Sequence, residues 1–187
     1  MVTIQIKDKQ YNVPTKWNEV TLKQYVQLNR WQNELTAVRL LSIVTGIDYD
    51  TISNLPCTEF SIKVMPEMEW LSEELNPLNV PRCKHLTIDG KKIKVIYDVS
   101  QERFGQKLFM QQLVAKAIEQ KSDHAELVAS VVSNYYAPYL HPQNKWDEKH
   151  VKETEQLIYD LPVLEVYPEA DFFLRGYIQF VRPKAKR

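Results

Sequence analysis

The sequence predicts an α+β fold made of two related units, each a β-hairpin followed by helices. Two short stretches alternate apolar and polar residues around a polar turn, which is typical of a hairpin. Stretches with helical spacing of apolar residues follow both hairpins. The second unit also repeats the pattern of the first at a constant offset, so an internal duplication is predicted.

The first unit is predicted to span residues 1–80 and to open with a hairpin. Its alternating positions are Ile4, Ile6, Tyr11 and Val13. Pro14 ends the second strand because proline cannot donate to a sheet. The hydroxyl of Thr21 can cap a helix that runs towards Trp31. A second, leucine-rich helix follows and is expected to end at Gly46.

The rest of the first unit is less regular. Asp48, Asp50 and Ser53 supply turn chemistry, so this stretch is a short helix or a loop. Residues 60–75 are predicted to form one helix despite Pro66. Residues 76–81 contain two prolines and are the best candidate for a linker between the units.

The second unit is predicted to span residues 81–187. Asp89-Gly90 lies between alternating apolar residues, which is a strong hairpin signal. Helical spacing then covers residues 104–119, 124–136, 151–161 and 170–181. Between the second and third of these helices, Pro138 and Pro142 are expected to bracket a polar loop that reaches about Lys149.

The repeat is visible residue by residue. Shifted by 82 positions, the first hairpin and helix align without a gap, pairing Ile4 with Leu86, Val13 with Val95, Leu22 with Phe104 and Gln24 with Gln106. Further on, residues 52–56 resemble residues 158–162 at a shift of 106. The difference of 24 residues indicates an insertion in the second unit, which we predict to be an aromatic loop at about 135–150.

Composition narrows the function. Twenty-four basic residues balance twenty-four acidic ones, so no basic excess is available for specific nucleic-acid binding. No apolar run reaches the roughly 18–20 residues of a membrane helix, so no membrane partner is expected. Cys57 and Cys83 show no metal or disulfide pattern and are expected to remain thiols. The basic residues at 182–187 are too few for a strong hold on DNA.

No catalytic residue, metal ligand or cofactor is predicted. The four glycines are scattered, which excludes a phosphate-binding loop. His141, Asp147 and His150 are close in sequence, but the histidines are nine positions apart, unlike the tight pairs of zinc sites. No sequence pattern of a nucleophile elbow occurs.

Aromatic residues are the best lead to a binding surface. They cluster in the predicted insertion and near the C-terminus, at Tyr135, Tyr136, Tyr139, Trp146, Phe172, Phe173 and Tyr177. One interpretation is ordinary core packing. The other is an exposed patch that anchors a partner, because aromatic side chains are enriched at protein interfaces. The position of four of them in a predicted loop favours the second.

Several segments resemble known phage proteins. The first hairpin reads I-x-I-x-x-K-x-Y-x-V-P and is followed by Thr21-Leu22-Lys23-Gln24-Tyr25, a pattern similar to small proteins in the structural gene blocks of tailed phages. Residues 40–47 and 52–55 extend that resemblance. Tyr139-Leu140 with Pro142, and Phe172-Phe173-Leu174, look like proteins of Bacteroidetes phages, including the crAss-like group. The first half is also similar to phage tail assembly chaperones.

This resemblance implies a non-catalytic structural protein of the virion, assembled in the host bacterial cytoplasm. A ring or collar subunit at the tail or head–tail junction is the function we expect. Its partners would be further copies of itself and the portal, tail or neighbouring ring proteins. One alternative is a cytoplasmic tail assembly chaperone that never enters the particle. Another is a phage enzyme without a recognisable motif.

Overall fold

The computed structural model describes residues 1–6, 8–31, 34–73, 75–100, 102–121, 124–141, 143 and 145–181, without the side chains of Glu59 and residues 178–181. The fold class is α+β, as predicted. Within the described ranges, two separate two-stranded antiparallel sheets accompany eight α-helices. The predicted basic tail at residues 182–187 lies outside the described residues.

The elements of the first unit are β1 (Val2–Ile6), β2 (Lys9–Val13), α1 (Leu22–Trp31), α2 (Ala37–Thr45), α3 (Tyr49–Ser53) and α4 (Cys57–Lys63). Those of the second unit are β3 (His85–Ile88), β4 (Lys91–Lys94), α5 (Phe104–Gln120), α6 (His124–Leu140), α7 (Glu148–Tyr159) and α8 (Val163–Val181). Short 3₁₀ segments cover Trp17–Glu19, Met65–Ser72 and Pro77–Asn79.

Both predicted hairpins form, and in the same register. Ile4 pairs with Tyr11 in the first, and Leu86 pairs with Ile93 in the second. At the tip of the second hairpin, Asp89 and Gly90 have φ values of 50° and 71°. Two successive left-handed residues are what a tight two-residue hairpin turn needs, and the Asp-Gly pair tolerates them.

Three predicted features of the helices between Thr21 and Ser53 can be compared with the structure. The backbone N–H of Gln24 donates to Thr21 Oγ1 at 3.2 Å, so Thr21 caps α1. Gly46 ends α2 with a left-handed φ of 70°. Asp48 accepts a hydrogen bond from Thr51 N, which decides the open alternative for this stretch in favour of a short helix, α3.

The prolines account for most differences from the predicted elements. The helix predicted at 60–75 is interrupted at Val64, and a 3₁₀ segment containing Pro66 follows. Pro138, by contrast, lies inside α6, which continues to Leu140. The loop predicted from Pro138 is therefore wrong at its start: residues 135–140 are helical. The predicted linker at 76–81 instead contains a 3₁₀ turn in which Pro77 is buried and which contacts α8.

One continuous core joins the two units. α6 lies at its centre, in contact with α1, α5, α7 and α8. The start of α1 is also tied directly to the start of α8: Leu22 N donates to Leu161 O at 2.8 Å, and Val163 N donates to Val20 O at 2.9 Å. The predicted boundary at residue 80 thus separates two sets of elements but not two cores.

The element boundaries follow both predicted offsets. α1 begins at Leu22 and α5 begins 82 residues later, at Phe104. α3 ends at Ser53 and α7 ends 106 residues later, at Tyr159, and the helices that follow them start with the same separation. Each unit is therefore a hairpin followed by helices. Their common origin stays a prediction.

Candidate functional site

Four of the seven predicted interface aromatics lie in the core. Tyr135 and Tyr136 are on α6, Phe173 and Tyr177 are on α8, and all four are buried in the isolated chain. The prediction that these rings form an exposed patch is therefore wrong. The reason is that α6 continues through Pro138, so the tyrosines pack against α8 instead of projecting from a loop.

The other three predicted aromatics are more accessible. Tyr139 is 43% exposed, and Trp146 and Phe172 are half-buried. Trp146 is nevertheless held within the chain, because its Nε1 donates to Asn134 Oδ1 at 2.8 Å and its ring lies against Gly105 on α5. A contact of Tyr139, Trp146 or Phe172 with another protein stays a prediction.

The buried rings form a compact aromatic cluster between α6 and α8. Tyr135 and Phe173 are stacked, with ring centroids 3.8 Å apart and planes 8° from parallel. Tyr136 meets Phe173 edge-on at 6.1 Å. Such pairs stabilise a core beyond the area that they bury, so this cluster is a structural centre of the second unit.

A buried ion pair lies next to this cluster. Arg82 Nε donates to Glu169 Oε1 at 2.8 Å and its Nη2 donates to Oε2 at 2.7 Å, a bidentate arrangement. The side chain of Glu169 is 0% exposed. Tyr136 Oη also donates to Glu169 Oε2, at 2.8 Å, and Arg82 lies 3.7 Å from the centre of the Phe172 ring. Both carboxylate oxygens are thus engaged, as a buried charge requires.

These contacts set the proton affinities of the cluster. Burial raises the pKa of Tyr136 well above its ordinary value, and the negative charge of Glu169 raises it further. Burial alone would lower the pKa of Arg82, but the hydrogen bonds and charge of Glu169 outweigh it and raise that pKa. Burial, then the hydrogen bond to Glu102, raises the pKa of Tyr135. Both tyrosines therefore act as neutral donors, and Arg82 stays charged.

A second buried network joins α5 to α6. Gln106 Oε1 accepts a hydrogen bond from Arg103 N at 2.9 Å and caps α5, while its Nε2 donates to Asn134 O at 2.9 Å. Asn134 Nδ2 donates back to Gln106 O at 3.1 Å. Asn134 O lacks the usual donor four residues on, because Pro138 has no N–H. Gln106 therefore satisfies a carbonyl that the proline leaves free.

A groove runs beside this network. It has a volume of about 360 Å³ and is lined by residues of α5, α6, α8 and the segment before α5, among them Val99, Glu102, Gln111, Tyr135 and Tyr177. At its floor, Tyr135 Oη donates to Glu102 Oε1 at 2.8 Å. The Tyr135 and Tyr177 rings that sequence reasoning assigned to an interface thus line a cleft from within the core.

The outer face of α5, defined here as Phe104, Leu108 and Ile118, is apolar and exposed. These side chains are 76%, 40% and 74% exposed. On a helix of 3.6 residues per turn they fall within an arc of about 80°. The opposite side of α5 carries Gln106 and Met110, which are buried against the core. α5 therefore has an apolar stripe on its solvent side, interrupted by the exposed Gln111 between Leu108 and Ile118, in addition to its packed side.

A histidine pair lies where α6 passes into α7. The rings of His141 and His150 are stacked, with centroids 3.6 Å apart and planes 9° from parallel. Glu153 is close by: one ligand atom from each of the three residues lies within 4.8 Å of the others. Burial, and the neighbouring His150, lower the pKa of His141. Sequence spacing predicted no such cluster, because it is the packing of α7 against α6 that brings His150 to His141.

No family model, curated protein or solved structure matches the chain. No helix in the described part of the chain is both long and apolar enough to cross a membrane.

Sequence reasoning missed the residues that organise the site. Arg82 and Glu169 are 87 positions apart, so no local pattern joins them. The outer face of α5 could have been predicted from the sequence, because the apolar residues of this helix are not confined to one side. An amphipathic surface helix has its apolar residues on the core side only.

Proposed function

We propose that this chain is a non-catalytic structural subunit of a tailed-phage virion that assembles with further copies of itself through the outer face of α5. A ring or collar at the tail or head–tail junction is the assembly that we favour. Neighbouring virion proteins, such as the portal or tail, would be its other partners. The resemblance of the hairpin and of residues 21–25 to phage structural proteins supports the proposal that the chain belongs to a phage virion.

The observation that carries the proposal is the exposed apolar stripe. Single exposed apolar side chains are common on protein surfaces, but several of them on one helix face favour a site of association. Phe104 and Leu108 are one helical turn apart, on the same face of α5. A second copy that covers this stripe would remove large apolar side chains from water, which favours association.

The surroundings of the stripe extend this surface. A shallow groove of about 250 Å³ lies beside the first turn of α5, and Arg103, Pro138 and the exposed Tyr139 are among its lining residues. The predicted role of Tyr139 at an interface is therefore compatible with its position. In a ring, each subunit presents two different surfaces, so a helix face on one can dock beside a groove on the next.

The buried polar groups of the second unit support a structural role. Glu169, Arg82 and Tyr136 bind one another, and Gln106 binds Asn134. A catalytic acid or base needs a free lone pair or proton facing substrate. Here the strongest candidates are engaged in holding helices together.

Assembly can be tested by placing charges on the outer face of α5. We expect the wild-type chain to sediment as an oligomer and the double variant Phe104→Glu, Leu108→Glu to sediment as a monomer. Both side chains are exposed, so the free energy of unfolding should change by less than about 0.5 kcal/mol. Ile62→Glu is the matched control, because Ile62 is 76% exposed on α4 of the first unit. A monomeric wild type, or an oligomer that survives the double substitution, would contradict the proposal.

The setting can be tested separately by mass spectrometry of purified virions of a phage that encodes this chain. A ring subunit is expected in stoichiometric amounts relative to the portal. Its absence from virions, together with an oligomer or complex in infected-cell extracts, would indicate a tail assembly chaperone instead.

A further inference from the structure

We propose that His141, His150 and Glu153 bind one divalent transition-metal ion of the Zn²⁺ class at the junction of α6 and α7. The ligand atoms of these three side chains lie within 4.8 Å of one another. This site is separate from the outer face of α5, and the inference does not depend on the proposed assembly.

Two packed helices bring the three residues together. α6 and α7 pack against each other, and His141 directly follows the end of α6. His150 and Glu153 are three residues apart on α7, which puts both on one face of that helix. The start of α7 is fixed by Asp147, whose carboxylate accepts a hydrogen bond from Lys149 N at 2.7 Å. Two of the three ligands, His150 and Glu153, are therefore presented by a capped helix.

The state of His150 points to a missing ligand. Its Nδ1 is buried, and no residue in the described part of the chain gives it a hydrogen-bond partner. Nearly all buried side-chain nitrogens in proteins have a partner, because burying one without a partner destabilises the folded state. A bond to a metal ion would satisfy this nitrogen through its lone pair.

Ion binding requires a modest rearrangement. Atoms that bind one tetrahedral Zn²⁺ at about 2.0–2.1 Å lie roughly 3.3 Å apart, so no pair here must close by more than about 1.5 Å. The stacked imidazole rings must also tilt so that their lone pairs converge. Side-chain rotation achieves this, and Glu153 is exposed enough to follow.

The ligand chemistry selects the class of ion. Two imidazoles and one carboxylate suit Zn²⁺ and related transition metals, whereas Mg²⁺ and Ca²⁺ prefer oxygen ligands alone. Three protein ligands leave a fourth position for water or for a group of another molecule. The bound ion would tie the end of α6 to α7 across residues 141–147.

The charges around the site are mixed. The carboxylates of Asp147 and Glu153 favour a cation. Lys149 Nζ lies 3.7 Å from Glu153 Oε1 and competes for that carboxylate. Lys91, whose Nζ donates to Tyr139 O, also opposes a cation through its charge. Removing the competing Lys149 charge should therefore tighten metal binding.

The test is calorimetric titration of the full chain with Zn²⁺, repeated with Co²⁺ to record the visible absorption of tetrahedral cobalt. We expect one ion per chain. His141→Gln, His150→Gln and Glu153→Gln should each weaken binding at least about tenfold, since even partners outside the ligand shell cost 10–100-fold in known sites. Lys149→Gln should strengthen binding several-fold. His85→Gln on β3 and Glu148→Gln on α7 are the matched controls and should leave the affinity unchanged.

Glu153 is exposed, so Glu153→Gln keeps the test valid even if a histidine variant fails to fold. The proposal is overturned if the wild type binds Zn²⁺ more weakly than about 1 mM. It is also overturned if Glu153→Gln binds as tightly as wild type, or if both controls lose affinity to the same extent as the site variants.

Discussion

The two units use the same glutamine in the same way. Gln24 in the first and Gln106 in the second lie 82 residues apart, each in the first turn of the helix after the hairpin. In each, Oε1 accepts from the backbone N–H that precedes the helix, Thr21 N at 2.8 Å and Arg103 N at 2.9 Å. In each, Nε2 donates to a backbone carbonyl of the following helix, Val44 O at 2.8 Å or Asn134 O at 2.9 Å.

The two carbonyls are free for different reasons. Val44 O has no helical partner because α2 ends one residue later, at Thr45. Asn134 lies well inside α6, and its carbonyl is free because Pro138 has no N–H. Glutamine at this position thus donates to a backbone carbonyl without a helical partner in both units, although the carbonyl lacks that partner for a different reason in each. The two units therefore share this glutamine interaction, although the backbone around it differs.

The units differ in how much polar structure they bury. At the offset of 106, Glu169 corresponds to Lys63 on α4, whose Nζ reaches Gln5 O at an exposed position. In the second unit the same position holds the carboxylate of a buried ion pair. The second unit also has the longer helices and the exposed stripe on α5. The candidate functional features therefore lie in what distinguishes the second unit from the first, and not in the hairpin–helix arrangement that both have.

We expect the largest loss of stability when the buried ion pair of the second unit is broken. Glu169→Gln leaves the partly buried Arg82 without its counter-charge, and we expect the free energy of unfolding to fall by about 3–5 kcal/mol, the usual cost of removing one partner. Chemical denaturation measures it. Asp171→Asn on the same helix breaks the pair with the exposed Arg175 and should cost much less, because water screens that charge. Equal losses would mean that Arg82–Glu169 is not a structural centre.

The next effect concerns a glycine that only the second unit needs. A Cβ at Gly105 would lie 2.4 Å from Trp146 Cε3, whereas the equivalent position in the first unit is the exposed Lys23. Gly105→Ala should therefore lower stability by about 1–3 kcal/mol, the usual cost of overpacking.

Gly176→Ala on α8 is the matched control for this substitution. Its Cβ would meet Val99 at 3.6 Å, an ordinary contact. This substitution should raise stability by roughly 0.5–1 kcal/mol, because alanine favours a helix over glycine. A neutral Gly105→Ala in thermal unfolding would show that Trp146 can move aside at little cost.

The last comparison concerns the two glutamines directly. Gln106→Ala should cost about 1–3 kcal/mol because it leaves the buried Asn134 carbonyl unpaired. Gln24→Ala should cost about 0.5–1.5 kcal/mol, since Gln24 is half-buried and its helix end is nearer solvent. In a Pro138→Ala background, residue 138 regains its N–H and the cost of Gln106→Ala should shrink. A double-mutant cycle without such coupling would contradict the role assigned to the proline.

Local patterns predicted the hairpins, the Thr21 cap and the Gly46 helix end, because each depends on residues within a few positions. Local patterns did not predict the effects of the prolines. Pro66 accompanies a break in the helix predicted at 60–75, whereas Pro138 sits inside α6 because Gln106, 32 positions earlier, accommodates it. The burial of Tyr135 and Phe173 likewise depends on how α6 meets α8. Whether a proline breaks a helix, or an aromatic ring is buried, thus depends on residues far away in sequence. The local spacing of residues cannot predict such contacts.

The link between the starts of α1 and α8 also bears on how the chain is made. Val20 and Leu22 are fully buried, and their backbone groups bond to residues 161 and 163, about 140 positions later. During synthesis the first hairpin and α1 emerge long before that segment exists. Domains usually fold as units while they are synthesised. We expect the amino-terminal half to remain incompletely folded, with apolar surface exposed, until α8 has been synthesised. We therefore expect early contact with chaperones and a slow final step in which α8 docks.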